Sequence, residues 1–437
     1  MAVAEAHAVA CLPAPDAVRG LATVRVRDGL RYGALGLPLA FVALPLYVQL
    51  PHHYASAFGV PLAALGALLL AARLFDAVAD PWIGRLCDRW LDRAPRQALR
   101  RAAVAALLLA LGFQALFFPP LRGTDALLLW CGATLVITDL AYSVLAVLHQ
   151  AWGARLGGDA TERARLVSWR EGLALAGVLV ASVLPAVAGL QATAIVFALA
   201  LVAGLVLLAA APAPTGTAAP QPAAPLLLPL RQPAFRRLLA VHLVNGIASA
   251  VPATLVLFFV RDRLQAPAFE PLFLAGYFAA GALSMPLWVR LVGRWGLARA
   301  WLAGMALALA AFGWTFLLGP GDVAAYTAVC LASGIALGAD LALPAALLTG
   351  VVQRAGHAGR LEGGYFGWWN FASKLNLALA AGLALPLLQA LGYAPGRQDA
   401  AALQALSLGY AVLPCLLKLL AAALLWRWRD RFESPPT

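Results

Sequence analysis

The residues of this chain that could do chemistry are few and sit in apolar surroundings. Arg73, Asp76 and Asp80 fall at i, i+3 and i+7 in Arg73-Leu-Phe-Asp76-Ala-Val-Ala-Asp80-Pro81-Trp-Ile-Gly84-Arg85-Leu86-Cys-Asp88-Arg89, the end of an apolar run that begins near Val60. On a helix of about 3.6 residues per turn the three share one face. Each ionisable group at mid-bilayer costs at least about 2.5–3.5 kcal/mol, so such a face lines a watery cavity, neutralises itself or holds a cation. Neighbouring carboxylates repel when both are ionised, and one then takes a proton unless Na⁺ or a cationic side chain neutralises it. A salt-bridge cluster that only stabilises the bundle is the structural alternative, and a buried ion pair is a poor source of stability. Asp139, Asp340, Lys374 and Lys418 are the other charges set inside apolar stretches. Asp340 reads as a polar ligand or a helix-packing group, Lys374 lies too deep to snorkel, and Lys418, with no partner in view, reads as a snorkelling lysine.

The elements that must position these groups follow from composition. The chain of 437 residues is 62% hydrophobic and 12% charged with mean hydropathy +0.82, against roughly 25% charged in a soluble domain. This is an all-α, polytopic membrane chain. Hydropathy places spans near 30–50, 61–82, 102–119, 126–149, 168–190 and 191–210, and six more near 238–260, 270–290, 300–318, 322–350, 364–390 and 400–426. Between the sixes lies a Pro/Ala-rich stretch, Ala211 to Pro225, without helical periodicity. The expected organisation is an N-terminal tail (1–29), a six-helix bundle (30–210), a linker (211–237), a second bundle (238–426) and a C-terminal tail (427–437).

Alternate connections collect the basic residues. The N-tail, the even-to-odd loops, the linker and the C-tail hold 25 of the 32 Lys+Arg, which by the positive-inside rule puts both termini in the cytoplasm. The net charge of +12 is therefore a topological signal, and no nucleic-acid partner is expected. The N-tail has no basic region followed by a compact apolar core and reads as a cytoplasmic tail, not a signal peptide. Five cysteines (Cys11, Cys87, Cys131, Cys330, Cys415) show no metal or disulfide spacing and read as packing residues. His52-His53 reads as part of a short external loop, and Trp82, Trp90, Trp152, Trp169 and Trp426 as interfacial anchors. The halves repeat: Arg89 has a counterpart in Arg294, 205 residues on, and Asp139-Leu-Ala-Tyr142 recurs as Asp340-Leu-Ala-Leu, 201 residues on. Two six-helix bundles with a path between them are implied.

Gly84, Asp88 and Arg89 match the Gly-x-x-x-Asp-Arg motif that follows the second span in the major facilitator superfamily, which the chain resembles. Within it, the chain is similar to the glycoside-pentoside-hexuronide:cation symporter family of melibiose permease, which also includes animal sodium-coupled lysolipid transporters. Three features carry this: Arg73-x-x-Asp76-x-x-x-Asp80-Pro81-x-x-Gly84, Asp139 in the fourth span, and Pro344-Ala-Ala-Leu-Leu followed by Glu362-Gly-Gly-Tyr365-Phe366-Gly-Trp-Trp-Asn-Phe-Ala-Ser-Lys374. The resemblance implies the major facilitator fold, with Asp76, Asp80, Asp139 and Lys374 as the cation-coupling set. Arg170 matches a family arginine near substrate. Arg73, Tyr142, Trp368, Trp369 and Asp340 are expected beside the path, and Gly84, Asp88, Arg89 and Arg294 in a cytoplasmic gate.

Departures fall on the sugar side. The first span offers only Gly36-Leu-Pro38-Leu-Ala where the family places an aspartate, Ser143 stands where an aromatic platform is expected, and Gly350 and Gln353 replace acidic residues. Ala79 stands where relatives often have Asn, which removes an oxygen suited to Na⁺ and tilts coupling toward H⁺. The expectation is a monomeric inner-membrane secondary transporter, not an enzyme, without cofactor and without a metal site beyond Na⁺, that couples H⁺ or Na⁺ to a small, sugar-like solute by alternating access. An amphiphile such as a lysolipid is the alternative cargo, by symport or flipping, and a non-transporting receptor or accessory protein the alternative class. No GxxxxGK[ST] loop is present to drive transport by ATP.

Overall fold

The computed structural model describes residues 25–214, 224–393 and 399–433. Expectations for residues 1–24, Cys11 and the middle of the linker lie outside them. Among the described residues all regular structure is helical. In chain order it runs α1 (Val26–Gly33), α2 (Gly36–Leu44), α3 (Leu50–Phe58), α4 (Leu62–Arg93), α5 (Pro95–Phe117), α6 (Thr124–Arg155), α7 (Ala160–Ala209), α8 (Leu228–Arg231), α9 (Pro233–Phe258), α10 (Glu270–Trp295), α11 (Leu297–Gly313), α12 (Val323–Arg354), α13 (Glu362–Ala390), α14 (Ala400–Ser407) and α15 (Leu413–Trp428). Among the described residues nine helical segments are long and apolar enough to cross a membrane. The remaining predicted crossings map onto α4, the broken run α1 to α3, and the second part of α7, which turns at Gly189 (φ 79°, ψ 170°). Only glycine takes that backbone conformation without strain.

Several helices outrun their hydropathy. α4 continues past residue 82 to Arg93, α6 ends at Arg155 and α12 at Arg354, each with an arginine in its last turn. A basic group there favours the negative end of the helix dipole, so the helix extends into the polar zone although the apolar window has ended. α7 starts early for a different reason. Asp159 accepts from the Glu162 amide (2.8 Å) while the Glu162 carboxylate accepts from the Asp159 amide (3.1 Å), a reciprocal cap. Five-residue π turns lie at Pro45–Gln49, Phe259–Arg263 and Leu408–Val412. His52-His53 is helical rather than a loop: His53 Nε2 lies 2.9 Å from the Phe117 carbonyl, and its ring packs on Phe58 and Phe117.

The two halves close on each other at the end that carries the Arg-rich connections, called the basic end below. A Cβ on Gly84 of α4 would stand 2.1 Å from the Gly363 carbonyl of α13, and one on Gly367 would stand 2.5 Å from the Asp80 carbonyl. Gly66 on α4 and Gly382 on α13, toward the other end, have nothing within 4 Å. The pair of helices is clamped at the basic end. Hydrophobic packing follows the same division. One core joins residues of both halves, while a second, around Phe259, Tyr326 and Tyr410, belongs to the C-terminal half alone. Leu74, Val78 and Trp82 form an exposed stripe on α4, rotated away from Asp76 and Asp80, as a helix needs when one face meets lipid and another a polar interior.

Candidate functional site

α4, α6 and α13 bring the charged groups together. Lys374 Nζ of α13 lies 2.6 Å from Asp76 Oδ2 and 2.7 Å from Asp80 Oδ2 of α4, where the carboxylates are 2% and 0% exposed and the lysine 24%. The Ser143 hydroxyl of α6 donates to Asp76 Oδ1 (2.6 Å) and accepts from Lys374 Nζ (2.8 Å). The Lys374 contact with Asp80 is one of charge rather than a directed hydrogen bond, and Asp80 Oδ1 accepts no hydrogen bond among the described residues. Three elements thus converge on one ammonium group, and Lys374 comes from the opposite half of the molecule. Two carboxylates of α4 thus face one ammonium of α13.

Asp139 of α6 is buried, and among the described residues neither of its carboxylate oxygens accepts a hydrogen bond. It lines a cavity of about 200 Å³ together with Arg73, Leu69, Leu70 and Leu135. Tyr142 of α6 is half-buried. Arg170 of α7 is buried, and both its Nε and Nη2 meet Glu171 Oε1, at 2.9 and 2.7 Å. A Cβ on Gly36 would stand 2.5 Å from the Arg170 carbonyl, so glycine in the first crossing lets α7 approach.

The basic end is closed by a second charged group. Asp88 Oδ1 and Oδ2 accept from the Gly363 and Gly364 amides (2.8 and 2.7 Å), which places a carboxylate on the positive end of α13. Arg155 of α6 spreads its guanidinium over three carboxylates: Nη2 to Asp88 (3.0 Å), Nη1 to Asp92 (2.8 Å) and Nε to Glu362 (3.1 Å). A second bridge between the halves runs from Arg163 of α7 to the Gln353 side chain of α12. In the loop before α13, His357 Nδ1 lies 2.8 Å from the Tyr365 hydroxyl, and burial with Arg360 nearby holds this imidazole below its ordinary value of 6.5.

Other expected residues are placed elsewhere. Arg89 and Arg294 are exposed, and Arg155 is the arginine that meets Asp88. Trp368 turns its indole N–H to the Leu226 carbonyl (3.0 Å), away from the path, while Trp369 is buried and stacks on His242 (centroids 3.7 Å apart). Consecutive residues on a helix differ by about 100° in direction, so only one of the two can face inward. Asp340 accepts from Trp301 Nε1 (2.8 Å) and from Lys418 Nζ (2.6 Å), within the C-terminal half. Lys418 is therefore paired and buried, not snorkelling. Trp152, read as an interfacial anchor, is buried and donates to the Pro212 carbonyl (3.1 Å). Ser143, Arg155 and Glu171 were missed. Each is a residue type common in spans or connections, and only the fold reveals its partners.

Helices that clamp at one end around intramembrane charges define a transporter of the major facilitator type. The family described as MFS/sugar transport protein matches residues 30–429, and the chain belongs to that family. It is similar to the inner membrane symporter YicJ of Escherichia coli (strain K12), 28% identical over 165 residues, 37% of this chain and 35% of that protein. It is also similar to the putative glycoside/cation symporter YagG of the same organism, 29% identical over 159 residues, 36% of this chain and 34% of that protein. The matched stretch thus spans about a third of the length of these relatives. Among solved structures, a bacterial homologue of the iron transporter ferroportin in an outward-facing state superposes with TM-score 0.69 at 17% identity over 93% of this chain and 100% of that one. The transporter FucP in its outward conformation gives 0.66 at 12% identity over 91% and 98%. At such identities the likeness is one of fold.

Proposed function

We propose that this transporter is a cation-coupled symporter of a small organic solute, glycoside-like by family, that works by alternating access between its two halves. The observation that carries this is Lys374 of α13 held between Asp76 and Asp80 of α4. In the empty carrier the lysine stands in for the coupling cation. H⁺ or Na⁺ entering from the end opposite the basic one displaces it, the two halves lose one tether, and solute binding and cation binding become mutually coupled. Ala79 offers no side-chain oxygen to complete a Na⁺ shell, which favours H⁺. Asp139 and Arg73 border the cavity in which the solute meets this site. The basic end is the cytoplasmic side, and Asp88 with Arg155 forms its gate. The leucines lining the cavity favour a second reading of the cargo, an amphiphile whose apolar part lies against Leu69, Leu70 and Leu135.

The test is thermal stability of the purified protein against a panel of glycosides, uronides and lysophospholipids, at two pH values and with or without Na⁺, beside Asp76→Asn. A ligand whose stabilisation depends on the cation in the wild type and not in the variant supports symport. Ligand stabilisation that is equal in both proteins and indifferent to either cation refutes it.

A further inference from the structure

We propose that Ser143 is a ligand of the coupling cation and fits the site for Na⁺ beside the proton. The inference deepens the symport reading above and rests on it. Lys374 Nζ stands among three oxygens from two helices: Asp76 Oδ2 at 2.6 Å and Asp80 Oδ2 at 2.7 Å on α4, and Ser143 Oγ at 2.8 Å on α6. A cage that holds an ammonium nitrogen offers the same oxygens to a monovalent cation once the lysine leaves. The serine is fixed for this task. It is 1% exposed, and its one hydrogen goes to Asp76 Oδ1 at 2.6 Å, so what it turns to the ammonium is a lone pair. The hydrogen bond to Asp76 does not involve the lysine, and the lone pair keeps its direction when Lys374 is displaced.

Sodium and the proton ask different things of this cage. A proton bonds to one carboxylate oxygen and needs no further ligand, and Asp80 Oδ1, which accepts no hydrogen bond among the described residues, offers such an oxygen. A hard metal cation needs several oxygens at once. With Ala at position 79, α4 brings no neutral side-chain oxygen there. Ser143 brings one from α6, at a position where the family resemblance predicts an aromatic sugar platform and not an ion ligand. The oxygen lost at residue 79 is regained at residue 143, which returns Na⁺ to the reach of the site. A serine that merely held Lys374 in place would act with the opposite sign. Its removal would loosen the lysine, the competitor of both ions, and Na⁺ and H⁺ would both bind more tightly.

The test measures Na⁺ binding by calorimetry and proton uptake in weakly buffered solution, on the full-length protein in nanodiscs. The variants are Ser143→Ala, the near-isosteric pair Ser143→Thr and Ser143→Val, and Asp76→Asn. The wild type is expected to bind both ions. Ser143→Ala and Ser143→Val are expected to weaken Na⁺ at least tenfold relative to the proton, and Ser143→Thr to keep the wild-type ratio. Destabilisation alone weakens both ions and leaves the ratio where it was, and the Thr and Val variants compare hydroxyl with methyl at nearly constant shape. A wild type that takes up protons but binds no Na⁺ overturns the proposal. So does a ratio unmoved in Ser143→Ala, Na⁺ binding that strengthens in that variant, or a Thr variant that behaves as the Val variant does. Asp76→Asn separates the two readings. If it binds both ions as the wild type does, or if the wild type binds neither, the symport reading falls. If it loses both ions while Ser143→Ala keeps the wild-type ratio, symport stands and the role of Ser143 falls.

Discussion

Lys374→Met should raise the affinity of the site for its coupling cation while abolishing coupled accumulation. In the wild type a cation reaches Asp76 and Asp80 only by breaking the lysine's contacts at 2.6 and 2.7 Å, so the free energy of those contacts is subtracted from cation binding. Removing one partner of a buried ion pair costs about 3–5 kcal/mol. The two carboxylates are almost fully buried but the lysine is 24% exposed, so water screens part of the interaction and the low end, about 3 kcal/mol, applies. At about 1.4 kcal/mol per factor of ten, the cation that must no longer compete binds about a hundredfold more tightly. Methionine keeps the length of the stem and removes only the charge. The assay is calorimetric titration of Na⁺ at a fixed alkaline pH, with proton uptake measured in weakly buffered solution beside it. Tighter binding of either cation, together with loss of uphill uptake, is expected, because the empty carrier would then hold two uncompensated carboxylates. If neither cation binds more tightly, Lys374 is not the competitor and the displacement mechanism is wrong.

Other predictions concern closure, stability and pH. Gly84→Ala and Gly367→Ala each place a methyl where backbone atoms of the facing helix stand at 2.1 and 2.5 Å, so both should hold the basic end apart and stop transport; Gly66→Ala, with open space around it, should be silent. Cysteine cross-linking between α4 and α13 at the basic end reads this directly, and normal cross-linking in Gly84→Ala would show that the interface yields. Asp340→Asn and Lys418→Met should each lower stability by about 3–5 kcal/mol, and the double variant by much less, because only a single change strands a buried charge. Thermal unfolding of the three variants checks this, with additive losses as the contrary result. The His357 imidazole is depressed below 6.5, so its contribution to stability is full above that value and is lost as pH falls through the folded value. Between about pH 7.5 and 5 the wild type should therefore lose more stability than His357→Gln, and parallel curves would remove His357 from the account.

How much of this was legible in the sequence depends on what each residue costs in a membrane. Asp76, Asp80 and Lys374 stand out because a charge in an apolar span is expensive, and the same expense forces them together in space, although residue 374 lies in the other half. Ser143 carries no such cost. In the sequence it marks only the absence of an aromatic group, and its two hydrogen bonds to the charged cluster emerge only once α6 is packed against α4 and α13. Lys418 shows the opposite failure. Its partner, Asp340, lies 78 residues away with no motif to connect them, so the sequence offers an isolated lysine where the fold has a satisfied pair. Arg155 was counted as one more basic residue of a cytoplasmic connection, and its three acidic partners come from α4 and α13. Hydropathy, by contrast, located apolar windows but not helix ends: the first span of 30–50 is a broken run that continues to Phe58, and arginines extend α4, α6 and α12 beyond their windows at the basic end.

The proposed cation site and gate are built on the same two rods. Along α4, Asp80 and Asp88 are eight residues apart, about 12 Å at 1.5 Å per residue; along α13, Lys374 and Gly364 are ten apart, about 15 Å. Between these levels the helices meet backbone against backbone, at Gly84 with Gly363 and at Gly367 with Asp80. Such an interface has no long side chains to bend, so the rods cannot slide past each other without a clash, and they must separate by rocking. A cation that displaces Lys374 removes a tether midway along the rods and leaves the Asp88 contacts with the α13 amides to hold the basic end shut. Opening then requires those two hydrogen bonds and the Arg155 to Glu362 contact to break together, since all three join α4 or α6 to the first residues of α13. In the proposed cycle the coupling between site and gate is mechanical, carried by α4 and α13 themselves, and a substitution that softens the glycine interface should uncouple cation binding from gate opening without touching a single charged residue.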